Sequence, residues 1–489
     1  MTQFKLSRQP NRFAVSGVAS ALLVFLSACA VGPNYQKPVT QEVSTFKEAG
    51  DWIVAVPADA LERGPWWELF ADPVLNQLLA RVEVSNQNVA IAVGAYAQAR
   101  ALVREQRAGL FPSVSLNGSE ARSRSAGDVA LGTAGRTGNN YQVSLGGTWE
   151  PDVWGRLQRI AEGASAGAQA SAADLAAARL SAQGELAVNY FSLRQSDAQA
   201  ALLASTIAGY QRSLDITQNR YTAGIAAKTD VLQAQTQLAN GKADAAGLQR
   251  QRAQFEHAIA VLMGDAPGNF ALASIADYKP VVPDVPVGVP STLLQRRPDI
   301  AGAERRAAAA NEQIGIAKSA YYPKIILNAS SGSGASRVAD LFSAATSVWS
   351  LGLSAAQVVF NAGATGARVE GAEALQAQAV ARYRQTVLVA FRDVEDQLAA
   401  TRVLQIQQTL RLQASASADQ VEQQVLNRYR SGQVSYTEVI TAQTTALNAS
   451  RAVVQASADR QTTAVALIQA LGGGWVGTAD SHGYEFSSR

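Results

Sequence analysis

An internal duplication limits what this chain of 489 residues can fold into. The sequence Asn-Arg-Tyr-Thr-Ala-Gly at residues 219–224 recurs 208 positions later as Asn-Arg-Tyr-Arg-Ser-Gly at residues 427–432. At the same offset, Asp230 corresponds to Glu438. Matches that keep one offset over a long span are typical of a repeated structural unit. The sequence therefore predicts two copies of one supersecondary unit.

The duplication also predicts the division of the chain. The two copies are expected at residues 71–264 and 292–472. The connection at residues 265–291 contains five prolines, which favour an extended, non-helical linker. Outside the copies lie an N-terminal segment at residues 29–70 and a C-terminal tail at residues 473–489.

Each copy is predicted to contain a helix, two strands, a long helix, a turn and a return helix. The predicted strands cover about residues 113–120, 141–150, 324–331 and 347–356, where apolar residues alternate with small polar ones. This alternation is typical of transmembrane β-strands, which face lipid on one side and an aqueous lumen on the other. A half-buried soluble sheet would show the same pattern.

Two segments without proline, residues 156–222 and 365–430, predict unusually long helices. At about 1.5 Å per residue, each would extend about 100 Å. Both are rich in Ala, Gln and Ser, and we expect them to form a helical wall in contact with water and with neighbouring helices. The return helices are predicted at residues 229–263 and 436–471, each ended by a glycine.

The N-terminus predicts export and lipidation. Lys5, Arg8 and Arg12 precede a mainly apolar stretch at residues 13–26, which is too short to span a bilayer comfortably but suits a signal peptide. Small residues and the only cysteine of the chain, Cys29, follow. This arrangement resembles a bacterial lipobox and predicts a lipoprotein signal peptide at residues 1–28. An ordinary signal peptide followed by an incidental cysteine is the alternative.

Charge and composition exclude several classes of function. The formal net charge is +3, from 42 basic and 39 acidic residues, and residues 1–28 contain three basic and no acidic ones. The mature chain is therefore neutral, unlike a nucleic-acid binder. One Cys and two His exclude a Cys/His metal site. No cluster of catalytic groups is evident, so we expect neither an enzyme nor a cofactor, apart from the covalent lipid on Cys29.

Four membrane strands predict an oligomer, because single-chain barrels begin at eight strands. An unclosed sheet edge in lipid leaves backbone groups unpaired, at several kcal/mol each. Two chains would supply eight strands, around an interior that side chains fill, and three would supply twelve, around an open lumen. A duct requires the lumen, so the trimer is favoured.

Four motifs together resemble TolC-type outer-membrane factors. They are the duplicated Arg-Tyr-x-x-Gly pattern, Trp-Trp-Glu-Leu-Phe-Ala-Asp-Pro at residues 66–73, Arg-Arg-Pro-Asp at residues 296–299, and Cys-Ala-Val-Gly-Pro-Asn-Tyr at residues 29–35. The lipoprotein (NodT-type) branch, which serves RND multidrug efflux systems, is the most similar. The resemblance implies a mainly α-helical homotrimer with a 12-stranded outer-membrane β-barrel that continues as a periplasmic α-barrel.

The same resemblance implies a function and its partners. The chain would be a passive exit duct for drugs or other small toxic molecules. An RND-type inner-membrane transporter and a periplasmic adaptor would deliver them. The protein would be lipid-anchored in the bacterial outer membrane, in contact with its lipids, with a large periplasmic portion. A periplasm-projecting lipoprotein scaffold without channel activity is the alternative.

By position in the family, Tyr221, Gly224, Tyr429 and Gly432 would be the tip residues that contact the adaptor. Glu438 would face the lumen near its narrowest point, where three copies form a carboxylate ring.

Asp230 is the second constriction residue that the resemblance implies, and it would hold a closed state partly by bonding Tyr429. Ordinary helix capping is the alternative for both carboxylates. Glu438 completes a capping box with Ser435, and Thr229 or Asp230 would serve as an N-cap. The sequence departs from the family pattern at Val434, where some members have Arg, and at Thr441, where many have an acid.

Overall fold

The computed structural model describes residues 30–40, 46–49, 65–124, 126, 135, 137–285 and 297–473. The predicted signal peptide, Cys29 and nearly all of the C-terminal tail lie outside these residues. The lipidation of Cys29 therefore stays a prediction.

Eleven main elements follow one another in the described part of the chain. The first half contains α1 (Pro73–Ser85), α2 (Gln87–Ala108), β1 (Ser113–Arg124), β2 (Thr137–Trp149), α3 (Arg156–Thr222) and α4 (Lys228–Leu262). The second half contains α5 (Pro298–Ser319), β3 (Lys324–Ala335), β4 (Ser347–Ala356), α6 (Ala364–Arg430) and α7 (Tyr436–Ala470). The fold is mainly α-helical with one small antiparallel sheet, as the sequence predicts.

The long helices agree closely with the sequence prediction. Helix α3 has the predicted bounds and α6 begins one residue earlier, so each contains 67 residues. Helices α4 and α7 contain 35 residues each. Gly264 and Gly472, which follow their ends, have positive φ angles of 74° and 95°. Glycine adopts this left-handed conformation without the steric cost of a Cβ atom.

The four strands form one antiparallel sheet in the order β1-β2-β3-β4. Three strands are longer than the alternation predicts: β1 continues to Arg124, β2 starts at Thr137, and β3 continues to Ala335. The β1–β2 ladder runs from the pair Ser113 and Thr148 to the pair Arg124 and Thr137. Main-chain pairing does not require apolar side chains, so the polar ends of the hairpin extend the strands beyond the apolar pattern.

In the described part of the chain, no core packs against strands β1 and β4. Every side chain of β1 and β4 is exposed. Apolar side chains share this exposure, including Trp349, which is 79% exposed, and Leu351, which is 72% exposed. Within the described residues, β1 pairs only with β2 and β4 only with β3. The sheet therefore presents two unpaired edges and uncovered apolar side chains.

The chain divides into two compact units, and each draws on both halves of the sequence. Unit 1 contains the described residues of Met1–Pro38, Ala97–Ala170 and Ala303–Tyr383, and so holds the sheet. Unit 2 contains those of Val39–Tyr96, Ser171–Gly302 and Arg384–Arg489. No helix in the described part of the chain combines the length and apolarity needed to cross a membrane.

In unit 1, a buried ion pair holds the N-terminal segment. Arg159 Nη1 lies 2.6 Å from Glu312 Oε2. The same guanidinium donates to the main-chain oxygen of Pro33 at 3.2 Å and to Asn34 Oδ1 at 3.2 Å. Gly315 leaves room for this contact, because a Cβ atom there would lie 3.0 Å from Arg159 Nε. The segment is thus fixed by polar contacts that depend on a close backbone approach.

In unit 2, Asp72 organises a buried aromatic cluster. Its carboxylate accepts from the main-chain N–H groups of Val74 and Leu75, which caps α1, and from the hydroxyl of Tyr190 at 2.7 Å. Tyr190 is fully buried beside Phe191. Asp72, which lies in the motif at residues 66–73, therefore has a structural role as the N-cap of α1.

Candidate functional site

The turn between α3 and α4 is closed by two main-chain hydrogen bonds. Ile225 N–H donates to the oxygen of Arg220 at 2.8 Å, and Gly224 N–H donates to the oxygen of Tyr221 at 2.9 Å. This pair of bonds is a Schellman motif, and it requires a residue in the left-handed conformation. Gly224 supplies it, with a φ angle of 75°.

The turn between α6 and α7 repeats this geometry. Gln433 N–H donates to the oxygen of Arg428, and Gly432 N–H donates to that of Tyr429, both at 2.9 Å. Gly432 has a φ angle of 76°. The duplicated Arg-Tyr-x-x-Gly motif therefore encodes the same helix-ending turn twice.

Arg220 joins the first turn to the second. Its Nη1 donates to the main-chain oxygens of Tyr429 at 2.9 Å and Arg430 at 3.1 Å, and its Cζ lies 4.9 Å from the centre of the Tyr429 ring. A cation is favourable there because unpaired carbonyl groups make the C-terminus of a helix negative. This role of Arg220 is not predicted from the sequence, although the position of Arg220 in the repeated motif was a signal.

Tyr429 lies inside the second turn rather than on its surface. It is only 3% exposed, and it belongs to a buried cluster with Ala234, Tyr436 and Val439. Its ring centre is 5.3 Å from that of Tyr436, and its hydroxyl donates to Thr217 Oγ1 at 3.3 Å. Burial raises the pKa of Tyr436 to about 12, so the hydroxyl of Tyr436 stays protonated at neutral pH.

The four predicted tip residues thus occupy different environments. Tyr221, Gly224 and Gly432 are exposed at the turns, whereas Tyr429 is buried. Tyr429 packs inside the second turn, and the other three residues lie on the surfaces of the two turns.

Glu438 is exposed on the first turn of α7. Its Oε1 accepts from the main-chain N–H of Ser435 at 3.3 Å, which is the capping interaction that the sequence predicts. The other carboxylate oxygen stays available to solvent or an ion, so capping and a lumen-facing role are compatible.

Asp230 occupies the equivalent position on α4, but it is not an N-cap. The N-cap is Ala227, whose backbone is extended, so the expectation of Thr229 or Asp230 at that position was wrong. The Schellman turn lets the helix restart earlier than the side-chain pattern suggested. Asp230 instead lies half-buried in the first turn of α4, where a negative charge is stabilised by the helix dipole.

The bond between Asp230 and Tyr429 that the resemblance implies is not formed in this chain. The hydroxyl of Tyr429 bonds Thr217 instead. Among the described residues, no donor bonds the carboxylate of Asp230.

Two further polar side chains lie on the helices that lead to the turns. Gln443 Nε2 donates to Ser213 Oγ at 3.1 Å, and both residues are buried. Burial and the nearby carboxylate of Asp419 raise the pKa of Glu422, a half-buried residue of α6.

In the part of the chain that the structure covers, no three His, Cys, Asp or Glu residues are placed to hold a metal ion.

Comparison with known proteins gives concordant similarities. The sequence matches the family described as outer membrane efflux protein over residues 78–265 and 289–473. It is 32% identical over 468 residues to the solvent efflux pump outer membrane protein SrpC of Pseudomonas putida, covering 93% of this chain and 97% of that protein. It is 28% identical over 452 residues to the cation efflux system protein CusC of Escherichia coli, covering 92% and 96%.

The fold is similar to that of a solved outer-membrane channel, OprN. The TM-score is 0.85 at 29% sequence identity, and the match covers 91% of this chain and 100% of that one. The similarity therefore extends over nearly the whole length of both chains.

Proposed function

Because the chain belongs to the outer membrane efflux protein family, we propose that it is the outer-membrane channel of a tripartite efflux pump. It provides a passive exit duct, and an RND-type inner-membrane transporter with a periplasmic adaptor supplies the energy and the cargo. The family is one of channel and efflux components, and we assign this chain no catalytic activity and no cofactor.

The open sheet is the observation that carries this proposal. Unpaired strand edges are too costly in lipid to persist, since each unsatisfied backbone group costs several kcal/mol. Apolar side chains such as Leu351 and Trp349 are exposed on strands that have no core beneath them. Three copies that join β1 to β4 would pair every edge in a twelve-stranded barrel, and lipid would cover the apolar side chains.

The turns support a second part of the proposal, the docking of an adaptor. Tyr221, Gly224 and Gly432 expose a rigid surface whose backbone is fixed by two Schellman motifs. A surface of fixed geometry at the ends of two helical hairpins suits a protein partner. We assign adaptor contact to these three residues, with Tyr429 as their buried support.

The cargo is proposed as a chemical class. Similar proteins are named for the efflux of solvents and of cations. Three copies of Glu438 would place a carboxylate ring in the duct, which favours cations over anions. We therefore propose drugs and other small toxic molecules, with cationic ones preferred.

Lipid attachment at Cys29 would anchor the mature chain to the outer membrane. The docking of residues 32–34 on Arg159 supports a fixed N-terminal segment close to that anchor in sequence.

Bilayer recording tests the channel directly. The full-length mature protein, extracted in detergent, should run as a trimer in native mass spectrometry and should conduct ions in a planar bilayer. A deletion strain should become sensitive to some members of a panel of dyes, detergents and antibiotics. A protein that never conducts, with a deletion strain of unchanged sensitivity, would instead support the scaffold alternative.

A further inference from the structure

The duplication places equivalent side chains on α3 and α6, but the single chain uses only one of the two sets. Ser213, Thr217 and Arg220 lie on one face of α3, since their spacing of four and three residues follows the helical repeat. The α6 residues at the same offset are Val421, Val425 and Arg428. We call the first set the α3 face and the second set the α6 face.

The α3 face binds the second copy of the repeat within the chain. Arg220 donates to the main-chain oxygen of Tyr429 at 2.9 Å, and the hydroxyl of Tyr429 donates to Thr217 at 3.3 Å. Ser213 accepts from Gln443 at 3.1 Å. Three contacts thus align along the face, and they bury both Tyr429 and Gln443.

The equivalent residues of the first copy have no such cover. Tyr221 corresponds to Tyr429 and is 41% exposed, whereas Tyr429 is 3% exposed. Gln235 corresponds to Gln443 and is exposed.

The α6 face is covered only in part, because Val425 is half-buried and packs against the Tyr429 cluster of its own chain. Val421 is 51% exposed and Arg428 is exposed. Within the described residues, the guanidinium of Arg428 forms no hydrogen bond or ion pair. The chain therefore exposes Val421 and Arg428 of the α6 face. It also exposes Tyr221 and Gln235, which are equivalent to the two residues that the α3 face binds.

We propose that the α6 face binds Tyr221 and Gln235 of a second copy of this chain. Arg428 caps the C-terminus of the second copy's α3, as Arg220 caps α6 within the chain. This inference rests on the proposed homotrimer and identifies its contact at the turns. Because the two contacting surfaces are different, the contact is head-to-tail, and in the proposed homotrimer three such contacts complete a ring.

The chemistry of the two faces differs in a way that sets the strength of the contact. Thr217 and Ser213, which bond Tyr429 and Gln443, are replaced on the α6 face by Val425 and Val421. The α6 face therefore offers apolar contact to the ring of Tyr221 and no side-chain acceptor for its hydroxyl. The contact between copies retains the arginine cap but loses two hydrogen bonds, so it is the seam that opens more easily.

Cysteine cross-linking of the full-length protein tests the contact. The double variant Val421→Cys and Gln235→Cys, treated with a short bismaleimide, should give covalent dimers and trimers on denaturing gels. The matched control is Ser213→Cys with Gln443→Cys, whose contact lies within one chain. The control should stay at the mass of one chain, with the cross-link found between those two peptides. The protein without added cysteines, treated in the same way, shows whether Cys29 itself reacts.

The outcomes separate the inference from the proposed function. If native mass spectra show the trimer but the Val421 and Gln235 variant stays at the mass of one chain, the inference is wrong and the channel proposal stands. If no trimer exists before cross-linking and no current flows, the channel proposal itself fails, and the inference fails with it.

A second measurement does not depend on cysteine variants. Arg428→Ala should lower the temperature at which the trimer dissociates without lowering the melting temperature of the helices. Arg220→Ala should lower the helix melting temperature, because its cap lies within the chain. Equal effects of the two variants on both temperatures would contradict the assignment.

Discussion

Tyr221 and Tyr429 occupy equivalent positions in two copies of one motif, yet Tyr221 is 41% exposed and Tyr429 is 3% exposed. Their local backbone geometry is the same, since both precede a left-handed glycine by three residues. The difference arises from packing, because only Tyr429 meets α3 of its own chain. Mutations at the two tyrosines should therefore act on different equilibria.

Replacing Tyr429 should destabilise the subunit itself. Tyr429→Ala removes a buried ring and leaves a cavity beside Tyr436, at a cost of about 3 kcal/mol. Thermal unfolding followed by circular dichroism should show a clear drop in melting temperature. Tyr221→Ala is the matched control, and its subunit melting temperature should change little. Equal losses would contradict the asymmetry between the two tyrosines.

The left-handed glycines of the turns should resist substitution. Gly432→Ala forces a Cβ atom into a φ angle of 76° and should cost about 1–2 kcal/mol. Gly371 lies inside α6 with no atom near its missing Cβ, so Gly371→Ala should be neutral or stabilising. Differential scanning calorimetry of both variants tests the contrast. A stable Gly432→Ala protein would show that the turn tolerates another conformation.

Glu438 should control which ions pass. Glu438→Gln removes the charge but keeps a side-chain oxygen that can accept from the main-chain N–H of Ser435, so the fold should be unchanged. Reversal potentials across a salt gradient should shift toward those of an unselective pore. Asp230→Asn is a useful comparison, because Asp230 occupies the equivalent helix position. An unchanged reversal potential for Glu438→Gln would reject the carboxylate ring.

Glu422 should make stability depend on pH. Burial and Asp419 raise the pKa of Glu422, so the folded state holds its proton to a higher pH than the unfolded state does. The free energy of unfolding therefore falls as pH rises from the unfolded value, about 4.3, through the folded one. Glu422→Gln should remove that fall and raise the melting temperature at pH 7. A lower melting temperature at pH 7 would mean that the carboxylate stabilises the fold.

Crowding Gly315 should release the N-terminal segment of unit 1. The Cβ atom in Gly315→Ala would lie 2.9 Å from the oxygen of Val31 and 3.0 Å from Arg159 Nε. We expect faster hydrogen exchange and proteolysis in residues 30–40, with the sheet unaffected. Gly167→Ala, on α3 with open space around it, is the control. Unchanged exchange would show that the segment is held elsewhere.

The helices and the sheet could be predicted from the sequence because their signals are local. Long segments without proline define α3 and α6, and the glycines after α4 and α7 mark where those helices end. Apolar alternation locates the four strands, but it misses their polar ends. The pairing of Arg124 with Thr137 continues a ladder that the hairpin geometry sustains without apolar side chains.

The environment of the turn residues could not be predicted, because it depends on contacts distant in sequence. Arg220 caps a helix 209 residues away, and the residues next to it, Asn219 and Tyr221, are of the same types as those next to Arg428. The N-cap of α4 was misplaced for a related reason. Side-chain preferences favour Thr229 or Asp230, but the preceding turn delivers an extended backbone at Ala227. Repetition identifies the motif, whereas packing decides what each copy of it does.

The two bare edges of the sheet have a consequence for biogenesis. A newly exported chain carries β1 and β4 unpaired until it meets other copies, and such strands are ready templates for wrong partners. Mispairing of β1 and β4 is therefore most favourable before assembly, because assembly pairs both strands. Overproduction that exceeds the rate of assembly should therefore produce aggregates that begin at these strands.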